Sequence, residues 1–466
     1  MNAQKTPTRQ RFTDHVLIGK DILELLSSAM YVDPLSIFRE YIQNSADAID
    51  EARQESLYHG PKQPRIDITL DPRNRTARIR DNGIGLKSSI FTKRMTSLGA
   101  SKKRGSGARG FRGVGRLSGL GYCHELVMRS KAAEDDLVCE IRWDCRRFRE
   151  ILRDNAFGGN IDELVWEVVS LEALDPKDYP DHFFEVEMLQ VSRYKNDLLL
   201  NEDDLANYIS QTGPVPFSPE FGLGTSINNR LQKFGVADSY KIFLNGSAEP
   251  VYRPFRDEFP LNPQLKDNFT EVEFHEVPAI NDGLDAVGWV LHHSYRGALP
   301  DNSRVKGLRL RVGNIQVGDN AILQQLFPEP RFNGWSVGEF HIIPSTRLVP
   351  NGRRDDFEQN THYLNLQKHV TGVARGLAKT CRTVSTERNK QRQALQETAV
   401  SAGSIPPEVE SLIAPEQRKL LSALPKPQAA VYNRLLPLIV RLSPTSKTAH
   451  RILAGVLDDL AATKAK

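Results

Sequence analysis

Three polar side chains in the segment REYIQNSADAID are spaced four and three residues apart: Glu40, Asn44 and Asp47. At about 100° per residue in an α-helix, Asn44 and Asp47 lie within about 40° of Glu40 around the axis, so all three share one face. Carboxylate and amide oxygens can hold hard cations and orient water. With apolar residues such as Phe38 and Ile49 opposite, the pattern is equally typical of an ordinary amphipathic helix with a solvated polar face.

A second motif, DNGIGL, directly follows the alternating segment TARIR. Gly83 and Gly85 allow the backbone to turn sharply at positions where a side chain would collide with a bound ligand. Asp81 ends the predicted strand, where its carboxylate can accept a hydrogen bond. An ordinary Asp-Gly turn is the alternative interpretation, because these residues dominate turns.

A third motif is the glycine-rich and basic segment GARGFRGVGRLSG, which places Gly110, Gly113 and Gly115 before an expected helix start. Backbone N–H groups at such a place can receive phosphate oxygens. Lys102 and Lys103 favour a phosphate site, although the basic residues of this segment could equally form a solvated or nucleic-acid-facing surface. A flexible loop remains the other alternative for this motif.

The elements that must position these motifs are predicted from periodicity. A helical region spans about 20–58, is interrupted at Asp33 and Pro34, and resumes with a helix capped near Ser36. RIDITL and TARIRD form a β-hairpin around the turn DPRNR, and further strands are predicted at CHELVMRS, LVCEIRW, IDELVWEVVS and HFFEVEMLQV. This order fits an α+β chain that begins with an α/β sandwich, with one helical layer on a mostly antiparallel sheet.

The domain boundaries follow from composition shifts. We expect an N-terminal arm at 1–19, a first domain at 20–222 with a lid at about 87–112, a second α/β domain at 225–375 and a helical C-terminal region at 376–466. The second domain is predicted to contain strands at YKIFLNG, DAVGWVLHHSY and GLRLRVGNIQVG, and TERNKQRQALQETAV is similar to an exposed or coiled-coil helix.

Composition restricts the class of protein. The 466 residues carry a formal net charge of +4 and 26% charged residues, which indicates a globular chain and neither demands nor excludes a polyanionic partner. The four cysteines show no zinc-ligand spacing, and no apolar run approaches the length of a membrane span. We therefore expect a cytoplasmic protein with reduced thiols and no membrane partner.

The three motifs together are more specific than each alone. E-x-x-x-N-x-x-D-A on a helix, D-x-G-x-G after a strand and G-x-x-G-x-G before a helix resemble the GHKL ATPases, the superfamily of gyrase, heat-shock chaperone, histidine kinase and MutL. Within it, IFREYIQNSADAID and GFRGVGRLS most resemble the ninety-kilodalton heat-shock chaperones, and SLGASKK looks like the lid of Morc-type ATPases. The resemblance implies a Bergerat-type ATP domain, followed by a transducer-like middle domain.

The resemblance also implies roles for individual residues. Glu40 would be the general base for the attacking water, Asn44 would hold Mg²⁺ that bridges the phosphates, and Asp81 would read the adenine amino group of ATP. Asp47 would support the adenine side or the helix contacts. The base pocket and the phosphate-binding segment would be formed by Gly83, Gly85, Lys102, Lys103, Gly110, Gly113, Val114 and Gly115.

PNGRRDDFE in the second domain looks like the loop from which the heat-shock chaperones supply an arginine to the γ-phosphate. Arg354 is the first candidate and Arg353 the second, although an exposed basic turn is the alternative. The resemblance implies an ATP-driven homodimer that acts on a protein client. A nucleic-acid clamp of Morc or MutL type, with basic residues facing DNA, is the other functional hypothesis.

One departure from the superfamily concerns the adenine site. Where a Gly-Thr pair is usual on a late strand, this chain has Phe183 and Phe184. The substitution removes a hydroxyl group that is expected near adenine. The details of base recognition are therefore expected to differ.

Overall fold

A computed structural model describes residues 33–59, 63–97, 115–154, 157–236, 238–262, 264–344, 347–401, 419, 421–442 and 446–462. The chain divides into two compact units, Met1–Ala378 and Lys379–Lys466. The first contains two large β-sheets with helices, and the second is helical where it is described. The predicted α+β class is confirmed, whereas the predicted arm at 1–19 lies outside the described residues.

The first sheet has seven strands: β1 (Ile66–Asp71), β2 (Thr76–Asp81), β3 (Glu125–Lys131), β4 (Val138–Asp144), β5 (Val169–Leu174), β6 (Phe183–Leu189) and β7 (Ile242–Leu244). Their order across the sheet is β5-β4-β3-β6-β2-β1-β7. All neighbours are antiparallel except β1 and β7. The predicted β1–β2 hairpin is confirmed, with Ile66 opposite Asp81.

Helices follow the same stretch of chain: α1 (Ser36–Gln54), α2 (Ser88–Thr96), α3 (Cys145–Arg153), α4 (Ile161–Val168), α5 (Glu202–Thr212) and α6 (Gly224–Gln232). The apolar side of α1 contributes Phe38, Ile42 and Ile49 to the same buried core as Ile79 and Met188 of the sheet. This packing gives α1 a fixed position relative to the end of β2. Within the segment predicted as a lid, Ser88–Thr96 is the helix α2, because Phe91 and Met95 recur at helical spacing and are buried.

The predicted helix start near Ser36 is confirmed, because Leu35 is the N-cap residue and Ser36 is the first residue of α1. The Asp33 carboxylate accepts the Leu35 N–H at 3.0 Å. One local prediction was wrong. IDELVWEVVS is not one strand, because Ile161–Val168 forms α4 and β5 begins at Val169. A capping box explains α4: the Asn160 side chain accepts the Glu163 N–H at 2.9 Å, and the Glu163 carboxylate accepts the Asn160 N–H at 3.2 Å.

The second large sheet has five strands: β10 (Glu271–Pro278), β11 (Leu284–His292), β12 (Gly307–Val312), β13 (Ile315–Val317) and β14 (Val337–Ile342). Their order is β10-β11-β14-β12-β13, and β8 (Glu258–Asn262) forms a separate pair with β9 (Leu265–Asn268). The strands predicted at DAVGWVLHHSY and GLRLRVGNIQVG are confirmed, with β12 and β13 antiparallel.

YKIFLNG was predicted to belong to the second domain, but its strand β7 pairs with β1 of the first sheet. Two side chains hold it there. The Tyr240 hydroxyl donates to the Asp50 carboxylate of α1 at 2.6 Å, and the Asn245 side chain accepts the Leu70 N–H at 2.7 Å. The predicted boundary at residue 222 is otherwise untested and stays a prediction.

A buried charged cluster connects the second sheet to the end of α5. Arg311 donates to Glu339 at 2.7 Å and to the Gln211 carbonyl at 2.5 Å, and both charged side chains are almost completely buried. Arg253 donates to the same carboxylate at 2.5 Å. The two guanidinium groups hold the pKa of Glu339 well below its usual range, although burial opposes them. Charges this deep restrain the position of β12 and β14 relative to α5.

The remaining helices are α7 (Thr361–Ser401), α8 (Lys426–Leu442) and α9 (Ser446–Ala462). TERNKQRQALQETAV is part of α7, and residues 386–394 are exposed. Tyr432 and Leu436 of α8 pack with Leu453 and Leu457 of α9. In the part of the chain that the structure describes, no helix is long and apolar enough to cross a membrane.

Candidate nucleotide site

The polar side of α1 is covered rather than solvated. Glu40 and Asn44 are partly buried, while Asp47, Arg39 and Gln43 on the same helix are each less than 9% exposed. An ordinary amphipathic surface helix would leave these groups in water. The covering elements are the 3-10 helix Gly115–Gly121 and a loop of the second sheet region, described below. The structure therefore brings the three spaced polar residues into an enclosed region.

Asp81 occupies one side of this region, which we call the base end. Its carboxylate is 2% exposed and accepts the Gly83 N–H at 2.9 Å, and it also accepts hydrogen bonds from the Ser45 hydroxyl and the Phe184 N–H. Burial raises the pKa of Asp81 to about 6, against the opposing effect of these hydrogen bonds. Among the described residues, no cation forms an ion pair with it. A buried acceptor without a cation is suited to a neutral hydrogen-bond donor.

Gly83 and Gly85 shape the loop that follows Asp81. A Cβ at Gly83 would lie 2.6 Å from the Ala48 Cβ of α1, because the loop packs directly on the helix and Ile84 N–H donates to the Ala48 carbonyl at 3.0 Å. Gly85 has φ +71° and a Cβ there would overlap the Lys131 carbonyl of β3. The collisions that require glycine are thus with the protein's own backbone and side chains.

Three residues at the base end were missed in the sequence. The Ser45 hydroxyl reaches Asp81, the His182 Nδ1 lies 2.7 Å from the Gly83 carbonyl, and the Tyr58 hydroxyl donates to the Asn82 carbonyl at 3.0 Å. Ser45 directly follows Asn44, so its place in the first motif was a usable signal. His182 and Tyr58 carried none, since only the sheet brings them to the loop.

The Phe183–Phe184 pair takes the place expected for Gly-Thr. The Phe183 ring is buried and stacks on Tyr179 with 5.5 Å between ring centres, while its carbonyl accepts the Ser130 hydroxyl at 2.8 Å. Phe184 contributes only its backbone N–H to Asp81. The hydroxyl next to Asp81 therefore comes from Ser45 of α1 and not from this strand.

The other side of the region, which we call the phosphate end, contains Glu40. A Cβ at Gly115 would lie 2.5 Å from the Glu40 Oε2, so the start of the 3-10 helix Gly115–Gly121 rests directly against this carboxylate. The glycine motif thus reaches the catalytic candidate at its last glycine. The remaining predicted phosphate-binding residues lie outside the described residues: Lys102, Lys103, Gly110, Gly113 and Val114.

Two arginines flank Glu40. Its Oε1 is 3.8 Å from Arg39 Nη2 and 3.9 Å from Arg354 Nε. Arg39 also donates to the Arg353 carbonyl at 3.2 Å. Arg354 is only 6% exposed and its side chain lies beside Glu40, whereas Arg353 is exposed to solvent. Of the two arginines predicted from PNGRRDDFE, only Arg354 is brought to the carboxylate.

The Arg354 loop is fixed to the second sheet. Gly318, which follows β13, donates its N–H to the Arg354 carbonyl at 2.8 Å, and the Asn351 N–H donates to the Asp356 carbonyl at 2.8 Å. Arg354 itself has φ +56°, a left-handed conformation that is uncommon outside glycine. Such a conformation persists only where the surroundings enforce it. The loop therefore places Arg354, which comes from the second sheet region, beside α1, which packs on the first sheet.

Asn44 lies between the two ends on α1. Its side chain is partly buried, and no hydrogen bond joins it to another described residue. An amide oxygen with no partner among the described residues has the chemistry of a ligand for a hard cation that takes its other ligands from phosphate and water. Asn44 is the residue of α1 that would hold Mg²⁺.

The family comparison concerns the first domain of the chain. The sequence profile of the histidine kinase-, DNA gyrase B- and HSP90-like ATPases matches residues 34–152. This range includes Glu40, Asn44, Asp81 and Gly115. The chain carries a GHKL-type ATPase domain. The resemblance drawn from the three motifs is confirmed, while Arg354 lies outside the matched range.

Curated relatives are similar to the chain over the ATPase domain. The chaperone protein HtpG of Helicobacter hepaticus is 30% identical over 132 residues, which are 25% of this chain and 21% of the relative. HtpG of Klebsiella pneumoniae is 30% identical over 142 residues, 27% of this chain and 23% of the relative. HtpG of Coxiella burnetii is 33% identical over 124 residues, 26% and 17% respectively. The chain thus spans about a fifth of the length of these relatives.

Proposed function

We propose that this protein binds Mg²⁺·ATP between α1 and the DNGIGL loop and hydrolyses the γ-phosphate with Glu40 as general base. One observation carries the proposal. The Glu40 carboxylate meets both the last glycine of the phosphate motif, at Gly115, and the Arg354 guanidinium from the second sheet region at 3.9 Å. A base, a backbone turn and a cation from three separate parts of the chain converge where a γ-phosphate would be cleaved.

At the base end, Asp81 accepts the adenine amino group. Its carboxylate is held in place by neutral donors, so its remaining lone-pair direction is fixed without a competing cation. Gly83 and Gly85 keep the loop in close contact with α1 and β3, so adenine is placed against the loop backbone. Asp47, which is buried on α1, supports the helix contacts on this side.

At the phosphate end, Glu40 orients the attacking water and takes its proton. Asn44 would hold Mg²⁺ through its amide oxygen, and the bound metal would supply partial neutralisation of the phosphate charge. Arg354 stabilises the charge that develops on the transferred phosphoryl group, and Arg39 keeps the carboxylate of Glu40 in position. The phosphate-binding segment is assigned the residues Lys102, Lys103, Gly110, Gly113, Val114 and Gly115.

Coupling to conformational change follows from where Arg354 comes from. Its loop is hydrogen-bonded to Gly318, which follows β13 of the second sheet. The buried Arg311–Glu339 cluster links that sheet to α5. If bound ATP contacts Arg354 as well as α1, it favours the arrangement of the two sheets that brings Arg354 to the γ-phosphate. We therefore propose that ATP closes the lid at about 87–112, promotes a homodimer and drives action on a protein client, as the name chaperone of the HtpG relatives suggests.

A nucleic-acid clamp is the alternative. Two features support it: the basic lid segment of the sequence and the exposed side chain of Arg353. Lys102 and Lys103 of that segment lie outside the described residues. Salt-sensitive DNA binding that strengthens with a non-hydrolysable ATP analogue would favour the clamp. Suppression of client aggregation without DNA affinity would favour the chaperone.

The test of the enzymatic proposal is steady-state ATP hydrolysis by the full chain with and without Mg²⁺. We expect phosphate release that requires Mg²⁺ and that is lost when EDTA exceeds the metal. ATP binding without any Mg²⁺-dependent turnover would overturn the proposed hydrolysis. Absence of ATP binding would overturn the assignment of the site as a whole.

A further inference from the structure

The residue next to the proposed base makes a contact that none of the three motifs accounts for. Tyr41 of α1 is 2% exposed, and its hydroxyl oxygen accepts the Gly119 N–H at 2.9 Å. Gly119 belongs to the 3-10 helix Gly115–Gly121, the same element whose first residue rests against Glu40. One helix thus touches this element at two consecutive residues, through a carboxylate and a phenol.

The fit around Gly119 leaves little freedom. A Cβ on Gly119 would lie 2.7 Å from the Tyr41 hydroxyl oxygen and 2.9 Å from Leu126 Cδ1 of β3. The Cys123 thiol donates to the Gly119 carbonyl at 3.3 Å, and Arg149 donates to the Leu120 carbonyl at 2.8 Å. The far end of the 3-10 helix is therefore bonded to α3 through Arg149 and to Cys123, which precedes β3, while the Tyr41 phenol bonds it to α1.

The Tyr41 hydroxyl is a buried, neutral acceptor. Burial raises the pKa of Tyr41 well above its usual range, so the phenol stays neutral. A buried backbone N–H that loses its acceptor is destabilising, because the free-energy cost of removing it from water is no longer offset by a hydrogen bond. If Gly119 moved away from Tyr41, the start of the same short helix, at Gly115, would move relative to Glu40.

We propose that Tyr41 is a positioning residue for ATP hydrolysis. It holds the 3-10 helix that follows the phosphate motif on α1, so that Gly115 and the Glu40 carboxylate keep the separation needed for attack on the γ-phosphate. This inference rests on the proposed function. Tyr41 touches neither the nucleotide nor the water, and it acts through Gly119 and the helix that contains it.

The test is Tyr41→Phe, which keeps the ring in the core and removes only the oxygen that accepts the Gly119 N–H. We expect kcat to fall about five- to tenfold, which corresponds to the net free energy of one hydrogen bond. The Kd of a non-hydrolysable ATP analogue should change less than about twofold. Assays run well below the Tm of each variant, so that a loss of stability alone leaves kcat unchanged.

The matched control is Tyr295→Phe. Tyr295 is also buried and its phenol also makes a hydrogen bond, with the His292 Nδ1 at 2.7 Å, but it lies in the second sheet region. We expect its kcat to equal that of the wild type. A Tyr41→Phe enzyme with wild-type kcat, or one whose kcat falls no further than that of Tyr295→Phe, would overturn the positioning role.

Hydrogen exchange separates this inference from the proposed function. In Tyr41→Phe, the amides of Gly115–Gly121 should exchange at least about threefold faster than in the wild type, and Tyr295→Phe should not change them. Unchanged exchange in Tyr41→Phe would overturn the anchoring of the 3-10 helix whether or not the protein hydrolyses ATP. Faster exchange in a protein without turnover would mean that the anchor is correct and the proposed hydrolysis is wrong.

Discussion

The two carboxylates of the candidate site are held in opposite ways. Asp81 at the base end is buried and accepts hydrogen bonds only from neutral groups: Ser45, Gly83 and Phe184. Glu40 at the phosphate end remains partly open, with guanidinium groups of Arg39 and Arg354 at 3.8 and 3.9 Å. Both residues belong to the same enclosed region, so the difference lies in their neighbours and not in their depth alone.

The difference teaches how one candidate site divides two tasks. Neutral donors fix the direction of a carboxylate's lone pairs while leaving its charge uncompensated, which suits the reading of a base amino group. Cations beside a carboxylate suit a group that works next to phosphate charge and is reached by a residue from the second sheet region. Changes at the base end should therefore alter binding, and changes at the phosphate end should alter turnover.

The largest expected effect on that contrast comes from Arg354→Ala. Removing the cation that faces Glu40 should lower kcat about 10²- to 10³-fold, because charge on the transferred phosphoryl group loses its partner. Stopped-flow or calorimetric binding of an ATP analogue should change less than about fivefold. Arg353→Ala, which alters an exposed side chain of the same loop, is the matched control and should retain kcat. Equal losses in the two variants would contradict the distinction between them.

Asp81→Asn should affect binding first. We expect ATP affinity to fall about 30- to 100-fold, since the charged acceptor for the adenine amino group is lost. The unliganded variant should nevertheless melt at a higher temperature. The pKa of Asp81 rises from 3.8 to about 6, so the ionised carboxylate lowers the free energy of unfolding by roughly 3 kcal/mol at neutral pH. Weaker binding together with a lower Tm would contradict the burial argument.

Acid should weaken binding through the same residue. With its pKa at about 6, Asp81 is mostly protonated at pH 5, and the wild-type affinity for ATP should be about tenfold lower there than at pH 7. The contribution of Asp81 to the free energy of unfolding changes in the opposite direction: it becomes more favourable as the pH falls. The folded protein takes up this proton near pH 6 and the unfolded chain near pH 3.8, so this group's penalty disappears as the pH falls. Isothermal titration at both pH values checks the affinity, and Asp81→Asn should lack the decrease.

The smallest effects sharpen the contrast through two glycines. Gly83→Ala presses on the Ala48 Cβ at 2.6 Å and should weaken ATP binding about tenfold, whereas Gly115→Ala presses on the Glu40 Oε2 at 2.5 Å and should lower kcat about tenfold. Glu40 can rotate away while Ala48 cannot, so Gly115→Ala should fold normally. Parallel measurement of Kd and kcat for both variants is the check. The same change in the same parameter for both would remove the distinction between the two ends.

The sequence predicted the individual motifs better than their surroundings. Glu40, Asn44 and Asp81 were predicted as site residues because their spacing on a helix and at a strand end is visible in the sequence, and their roles stay predictions. The β1–β2 hairpin followed from alternation, and the α+β class followed from the order of helical and alternating segments. Local patterns of this kind are visible without knowledge of what packs on them.

What the sequence could not show depends on contacts between distant residues. His182 reaches Gly83 only because β6 lies beside β2, and Arg354 reaches Glu40 from the loop that Gly318 holds. IDELVWEVVS reads as a strand by composition, but the capping box of Asn160 and Glu163 starts a helix there. β7 joins the first sheet because Tyr240 and Asn245 bind α1 and β1.

The most direct test of the central claim compares the wild type with Glu40→Gln, a nearly isosteric change that removes the base and keeps the contact with Gly115. Mg²⁺-dependent ATP turnover and the Kd for ATP are measured on both proteins. We predict that turnover falls at least about 10³-fold in Glu40→Gln while the Kd stays within about threefold of the wild-type value. Turnover that survives in the variant, or binding that is lost together with turnover, would contradict the assignment of Glu40 as the base of this site.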